Sequence, residues 1–262
     1  MLIVFLGGSI TAGLGVVRSG NTYANLLQMK MKDRYTEKVE ILNLGASAMQ
    51  VNESRQKYET RILQLQPDII VFAHGNTESV VREKKKYLKF MPKRWRRPGW
   101  MDPRPYYSSR KPRRWLEKTE SAIRWRVKVS LIKVFGGKQW MSLEEFRQQT
   151  IDFIITILNN SPRTKIILLT PGDIEDRYFP GSSMSLRKYH DVLREIYDNS
   201  KSTNRVFMCD SSIKLHRWDD YFEDRFHPNE KGHNKIAEAL MDTIVSHSMM
   251  KKDMQVLEEV SG

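Results

Sequence analysis

Short apolar runs recur along this chain, separated by longer stretches whose apolar residues fall at helical spacing. The first run, Leu2-Ile3-Val4-Phe5-Leu6, has no polar break, which predicts a strand buried on both faces. Further strands are predicted at Val39–Leu44, Asp68–Ala73, Lys165–Thr170 and Arg205–Asp210, each rich in Ile, Val, Leu or Phe and stopped near Gly, Pro, Asp or Asn. Helices are predicted between them at Thr22–Arg34, Glu53–Gln64, Ser142–Asn159, Ser185–Asn199 and Asn229–Ser246. In the third, Phe146, Ile151, Ile154, Ile155 and Leu158 lie close to one stripe, and Ser142 with Glu145 has the form of a capping box. Strands that alternate with helices predict a parallel sheet covered on both faces. The polar tail Ser248–Gly262 is expected to fray.

One segment, 82–140, interrupts the alternation. Its middle, Met91–Arg114, holds five prolines and many arginines and is expected to be irregular, whereas Leu116–Phe135 fits an amphipathic helix with Leu116, Ile123, Val127 and Leu131 on one side. Its apolar content is too small for an independent core, so the reading is a single domain, 1–262, carrying 82–140 as an insertion. Charge separates the two parts. The chain carries +13 overall, yet 82–140 contains 20 Lys and Arg against 4 Asp and Glu, leaving 24 against 27 elsewhere. The basic character belongs to this insertion, which also holds Trp95, Trp100, Trp115, Trp125 and Trp140, five of the six tryptophans.

The lone cysteine, Cys209, excludes an intramolecular disulfide and a cysteine metal site, and its apolar neighbours predict a buried thiol. His190, His216 and His247 lack metal-ligand spacing, so neither metal nor cofactor is expected. No apolar stretch reaches 18 residues, and a strand at residue 2 leaves no room for a secretory leader; a cytoplasmic location is the expectation.

The candidate chemistry lies at strand ends. Ser9 follows the first strand after Gly7-Gly8, Gly45 follows the second, and Gly75-Asn76 follows the third. In a parallel sheet these ends share one edge, the edge at which open α/β sheets bind ligands. Near the C-terminus stands Asp224-Arg225-Phe226-His227-Pro228-Asn229, where one curl of the loop brings the carboxylate to the imidazole and fixes its tautomer. A serine nucleophile needs such a base and preorganised donors for the oxyanion. His74 and His233 read as structural histidines. The loop 171–178 follows the fourth strand and is expected to border the same cleft.

These residues resemble the motifs of the SGNH (GDSL-type) hydrolase family. Gly7-Gly8-Ser9 matches the first block, Gly-Asp-Ser, with Gly in place of Asp; Gly45 matches the glycine of the second; Asp224 to His227 matches the closing Asp-x-x-His, followed by Pro-Asn-x-x-Gly. The matches span nearly the whole chain outside 82–140. The third block departs: the family's Gly-x-Asn-Asp is here Gly75-Asn76-Thr77-Glu78, so strict register puts Thr77 at the asparagine position, and a one-residue adjustment puts Asn76 there. Asn76 is the preferred reading. The run Gly75-x-x-Glu78-Ser79-x-x-Arg82 is similar to a variant block of members associated with surface polysaccharides.

The resemblance implies a three-layer α/β/α, flavodoxin-like fold with a parallel five-stranded sheet of order 2-1-3-4-5. It implies Ser9 as nucleophile, His227 as base, Asp224 orienting it, and an oxyanion hole of the Ser9 and Gly45 N–H groups with the Asn76 amide. The expected activity is an oxygen-ester hydrolase, above all on O-acetyl groups of carbohydrate; a sugar O-acyltransferase and a catalytically weak glycan- or lipid-binding module are the alternatives. The expected partner is an acylated small molecule or glycan. For the insertion three readings stand: a lid over the cleft, a contact with an anionic membrane surface or lipid-linked glycan that would hold the protein peripherally at the inner face, and nucleic-acid binding, which no recognised motif supports.

Overall fold

The computed structural model describes residues 1–35, 38–97 and 99–249; the expected fraying of the tail falls, from 250 onward, outside them. The central sheet is built from β1 (Leu2–Gly7), β2 (Glu40–Asn43), β3 (Ile69–Ala73), β6 (Lys165–Leu169) and β7 (Val206–Cys209). All pair in parallel, in the order β2-β1-β3-β6-β7, which is the expected 2-1-3-4-5 once the central strands alone are counted. Two further short strands, β4 (Val81–Glu83) and β5 (Gly137–Gln139), form a separate antiparallel ladder.

Period-two alternation divides the core. Ile3, Phe5, Ile69, Val71, Ile167 and Phe207 face α1 (Tyr23–Arg34) and α8 (Glu230–Ser246), while Val4, Leu6, Ile70, Phe72, Ile166 and Leu168 face α2 (Val51–Leu65), α6 (Leu143–Asn160) and α7 (Ser182–Ser200). Helix bounds move by a few residues from those predicted. The Ser142 hydroxyl caps α6 by accepting from the Glu145 N–H at 3.1 Å. Cys209 is buried, and desolvation pushes its thiol up to about 11.

Two buried histidines, His233 of α8 and His190 of α7, bear on acid stability. His233 of α8 accepts the Tyr23 N–H at Nδ1 (3.0 Å) and stacks on the Tyr23 ring, so protonation of Nδ1 would destroy that acceptor. Burial pulls both His233 and His190 down to about 4, His233 with His227 adding repulsion and His190 with Arg194 opposing nearby Asp210, Asp173 and Asp191. Unfolded histidine titrates near ~6.5, so between that pH and about 4 the unfolded chain binds more protons and stability falls as the pH drops. From pH 7 to pH 5 the loss should be about 2 kcal/mol per histidine. Urea midpoints across this window check it, and His233→Asn, whose Oδ1 replaces Nδ1 as the acceptor for Tyr23, should flatten its share.

The insertion departs from expectation in two ways. β4 and β5 close its base like a clasp, with Arg82 opposite Lys138; strands of three residues are too short to show alternation in sequence. The long helix α5 spans Lys111–Phe135 and so begins inside the stretch expected to be irregular, because Pro112 sits in the first turn, where a missing N–H costs nothing. The buried residues are Ser121, Arg124, Lys128 and Ile132, whereas Leu116 and Ile123 face out. Buried charge explains this. Lys128 Nζ bonds Asp102 Oδ1 at 2.6 Å, Arg82 pairs with the other oxygen of Asp102, and Arg124 donates to the Trp100 carbonyl. Desolvation alone would raise the Asp102 carboxyl; the two cations override it and hold it at about 2.

Candidate active site

Four loops meet at the C-terminal edge of the sheet. Ser9 stands just past β1, Ser47 and Ala48 lie between β2 and α2, Thr77 sits in the short helix α3 (Asn76–Ser79) after β3, and Asp224–His227 precede α8. The nucleophile loop folds tightly, with the Leu14 N–H donating to the Ser9 carbonyl at 2.9 Å. Gly15 (φ 104°) lets it approach the histidine loop, since a Cβ there would lie 2.2 Å from the Pro228 carbonyl oxygen. The Asn229 side chain caps α8 by accepting from Lys231 and Gly232, which anchors the histidine loop from behind.

Ser9, His227 and Asp224 form a continuous hydrogen-bonded line. His227 Nε2 lies 2.7 Å from Ser9 Oγ, and His227 Nδ1 lies 2.6 Å from Asp224 Oδ2. The other carboxylate oxygen accepts the N–H groups of Phe226 (3.1 Å) and His227 (3.0 Å), so the buried charge is satisfied by three donors. A carboxylate only accepts; Nδ1 therefore carries the ring proton and Nε2 is left to accept from the serine hydroxyl. Phe226 closes edge-on over the imidazole, with ring centroids 4.8 Å apart.

Of the three residues expected to supply oxyanion donors, Ser9 lines the cleft and the other two do not. The Gly45 N–H donates to Asn43 Oδ1 at 2.9 Å, and the Asn76 amide donates to the Gly172 carbonyl at 3.3 Å; neither residue lines the cleft. Beside Ser9 the cleft presents Ala48 and Thr77. The N–H groups of Ser9 and Ala48 have no acceptor among the described residues, and the Thr77 hydroxyl has no partner there either. Ala48 adopts φ 62°, a left-handed conformation that costs an alanine about 1–2 kcal/mol and is characteristic of functional loops. Thr77 explains Gly8: a Cβ on Gly8 would fall 2.3 Å from Thr77 Oγ1, so the missing side chain and the threonine are one packing solution. Both departures from the family pattern thus meet at one point. Strict register was the sequence signal for Thr77; nothing in the sequence singles out Ala48, whose backbone conformation is set by the loop.

The expected cleft-bordering loop 171–178 instead lies behind the site. Gly172 takes the Asn76 amide, the Asp173 N–H donates to Tyr221 Oη at 2.6 Å, and only Phe179, just beyond the loop, reaches the cleft. His74 is buried beneath it, Nδ1 against Glu78 Oε1 at 3.0 Å, while Glu78 also accepts the Val51 and Gly75 N–H groups. This pair braces the β3–α3 turn.

The insertion roofs the cleft with Trp100, Pro103, Pro105 and Trp140, enclosing about 200 Å³. The Arg82 guanidinium stacks on Trp140 at 3.9 Å. Tyr106 stitches the roof to the nucleophile loop: its oxygen accepts the Gly15 N–H at 2.6 Å and donates to the Val16 carbonyl at 3.0 Å.

No family model and no curated protein sequence matches the chain. Solved structures do. LAE5, an alpha/beta hydrolase enzyme from the metagenome of Lake Arreo, is similar over 96% of both chains, with a TM-score of 0.58 at 18% identity. Axe2, an acetylxylan esterase from Geobacillus stearothermophilus, is similar over 93% of both, with a TM-score of 0.57 at 17% identity. A protein of the G-D-S-L lipolytic family from Desulfitobacterium hafniense matches 95% of this chain and 99% of its own, with a TM-score of 0.54 at 14% identity. The chain has the SGNH-hydrolase fold.

Proposed function

We propose that this protein is a serine esterase that cleaves oxygen esters, with O-acetyl groups on carbohydrate as its substrate class. The observation that carries the proposal is the unbroken Ser9–His227–Asp224 hydrogen-bonded line at the ligand-binding edge of the sheet. Ser9 Oγ attacks the ester carbonyl carbon as its proton passes to His227 Nε2. The carbonyl oxygen takes the negative charge and is received by the N–H groups of Ser9 and Ala48 and by the Thr77 hydroxyl. Collapse breaks the bond to the alcohol oxygen, which leaves with the proton from His227. Water then attacks the acyl-enzyme, gives its proton to His227, and releases the acid and free Ser9. Asp224 stabilises the imidazolium that forms twice in this cycle.

The small roofed cavity supports a short acyl group, and Trp100 and Trp140 give its wall aromatic surface. The similarity to acetylxylan esterases supports the same substrate class. The triad serves water or a sugar hydroxyl as acceptor equally, so free acetate released from an acetylated oligosaccharide identifies hydrolysis, and acetyl transfer to a second sugar identifies the transferase. A fluorophosphonate probe tests the nucleophile. Stoichiometric labelling of Ser9, lost in Ser9→Ala, is expected; absence of labelling beside a reactive serine esterase would leave only a binding module.

A further inference from the structure

Helix α5 is built inside out. It turns Arg124 and Lys128, 1% and 0% exposed, toward the protein and presents Leu116 (61% exposed), Ile123 (49%) and Val134 (71%) outward, with half-buried Val127 between them. These four positions, spaced 7, 4 and 7 apart, make one stripe about 27 Å long at 1.5 Å per residue. Exposed Trp115, Arg126 and Lys133 flank it. Both acids of the helix are turned inward: Glu117 accepts the Ser108 N–H, and Glu120 accepts from Trp95 and pairs with Arg104. Arg126 and Lys133 form no ion pair with any described carboxylate. At the C-terminal end Tyr87 stacks on Phe135 at 4.4 Å, bringing in the segment that carries exposed Lys84, Lys85, Lys86, Lys89 and Phe90, the last 84% exposed.

We infer that this outward face of α5 docks the protein on an anionic lipid surface. An aliphatic stripe without acids, edged by tryptophan and by cations, matches the boundary between acyl chains and negatively charged headgroups. A second copy of the chain is a poor occupant, because two insertions of +16 would repel each other. A nucleic acid would meet the cations but leave the stripe in water. Since the same insertion roofs the cleft on its inner side, docking would place the active-site mouth within reach of the membrane plane. The inference rests on the helix face and not on the esterase reading.

Co-sedimentation with vesicles tests it. The whole protein should pellet with phosphatidylcholine vesicles containing phosphatidylglycerol and stay in solution with phosphatidylcholine alone, and added salt should weaken the binding. The variant R126Q/K133Q should partition about thirtyfold more weakly, a loss of about fivefold per cation. The variant L116S/I123S/V134S should lose at least about tenfold through the apolar face alone. All five positions are exposed or project outward, so unchanged thermal midpoints serve as the folding control. Equal recovery with both vesicle types, or with neither, overturns the inference. So does binding that the apolar variant leaves intact, or tight binding of a single-stranded DNA oligomer without vesicle recovery.

Discussion

Ser9→Ala should lower kcat on a short acyl ester by about 10⁶-fold, and Asp224→Asn by about 10⁴-fold. The first removes the atom that forms the acyl bond. The second keeps the shape of the site but places an amide where Nδ1–H needs an acceptor, which favours the tautomer with its proton on Nε2. That ring cannot accept from Ser9, 2.7 Å away. The loop should stay otherwise intact, since the Phe226 and His227 N–H groups bond the opposite oxygen. Steady-state kinetics with a p-nitrophenyl ester measure both. A Ser9→Ala rate equal to that of the parent would assign the hydrolysis to background and remove the nucleophile.

The second large effect concerns the oxyanion. Thr77→Val preserves shape and deletes the hydroxyl, and kcat should fall by about 10²–10³ with KM unchanged, because the negative charge exists only in the transition state. Asn76→Ala should act differently. One N–H of its amide is held by the Gly172 carbonyl and the residue does not line the cleft, so the change should lower the thermal midpoint and leave kcat within a few fold. The reverse pattern, with Asn76→Ala slow and Thr77→Val fast, would restore the one-residue adjustment and make Asn76 the donor.

Much of this geometry is legible without coordinates, for reasons that differ by element. β1 and β3 are buried on both faces, so their sequences are unbroken apolar runs, and the parallel order follows from alternation with helices. Asp224 and His227 are three residues apart, and the curl that joins them is local. Ser9 to His227 is a contact across 218 residues, and it became legible only because each residue ends an element at the same sheet edge. The β4–β5 clasp left no trace, since its pairing depends on a partner more than fifty residues away. α5 marks a different limit. The spacing of Leu116, Ile123, Val127 and Leu131 places them on one side of a helix, and periodicity carries no information about which side a protein turns inward.

The sequence by itself determined the strands, their parallel arrangement between helices, and the placing of Ser9, Asp224 and His227 at the ends of elements, because these follow from burial, periodicity and short-range spacing. Only the tertiary structure decided which donors face the cleft and which face of α5 looks out. The N–H of Gly45 was claimed by Asn43 and the amide of Asn76 by Gly172, leaving Ala48 and Thr77 in the cleft. The Asp102 carboxylate holds Arg82 and Lys128 inward, and the aliphatic stripe of the helix lies toward the outside. Satisfaction of buried polar groups is a property of the assembled fold, and no segment can settle it alone.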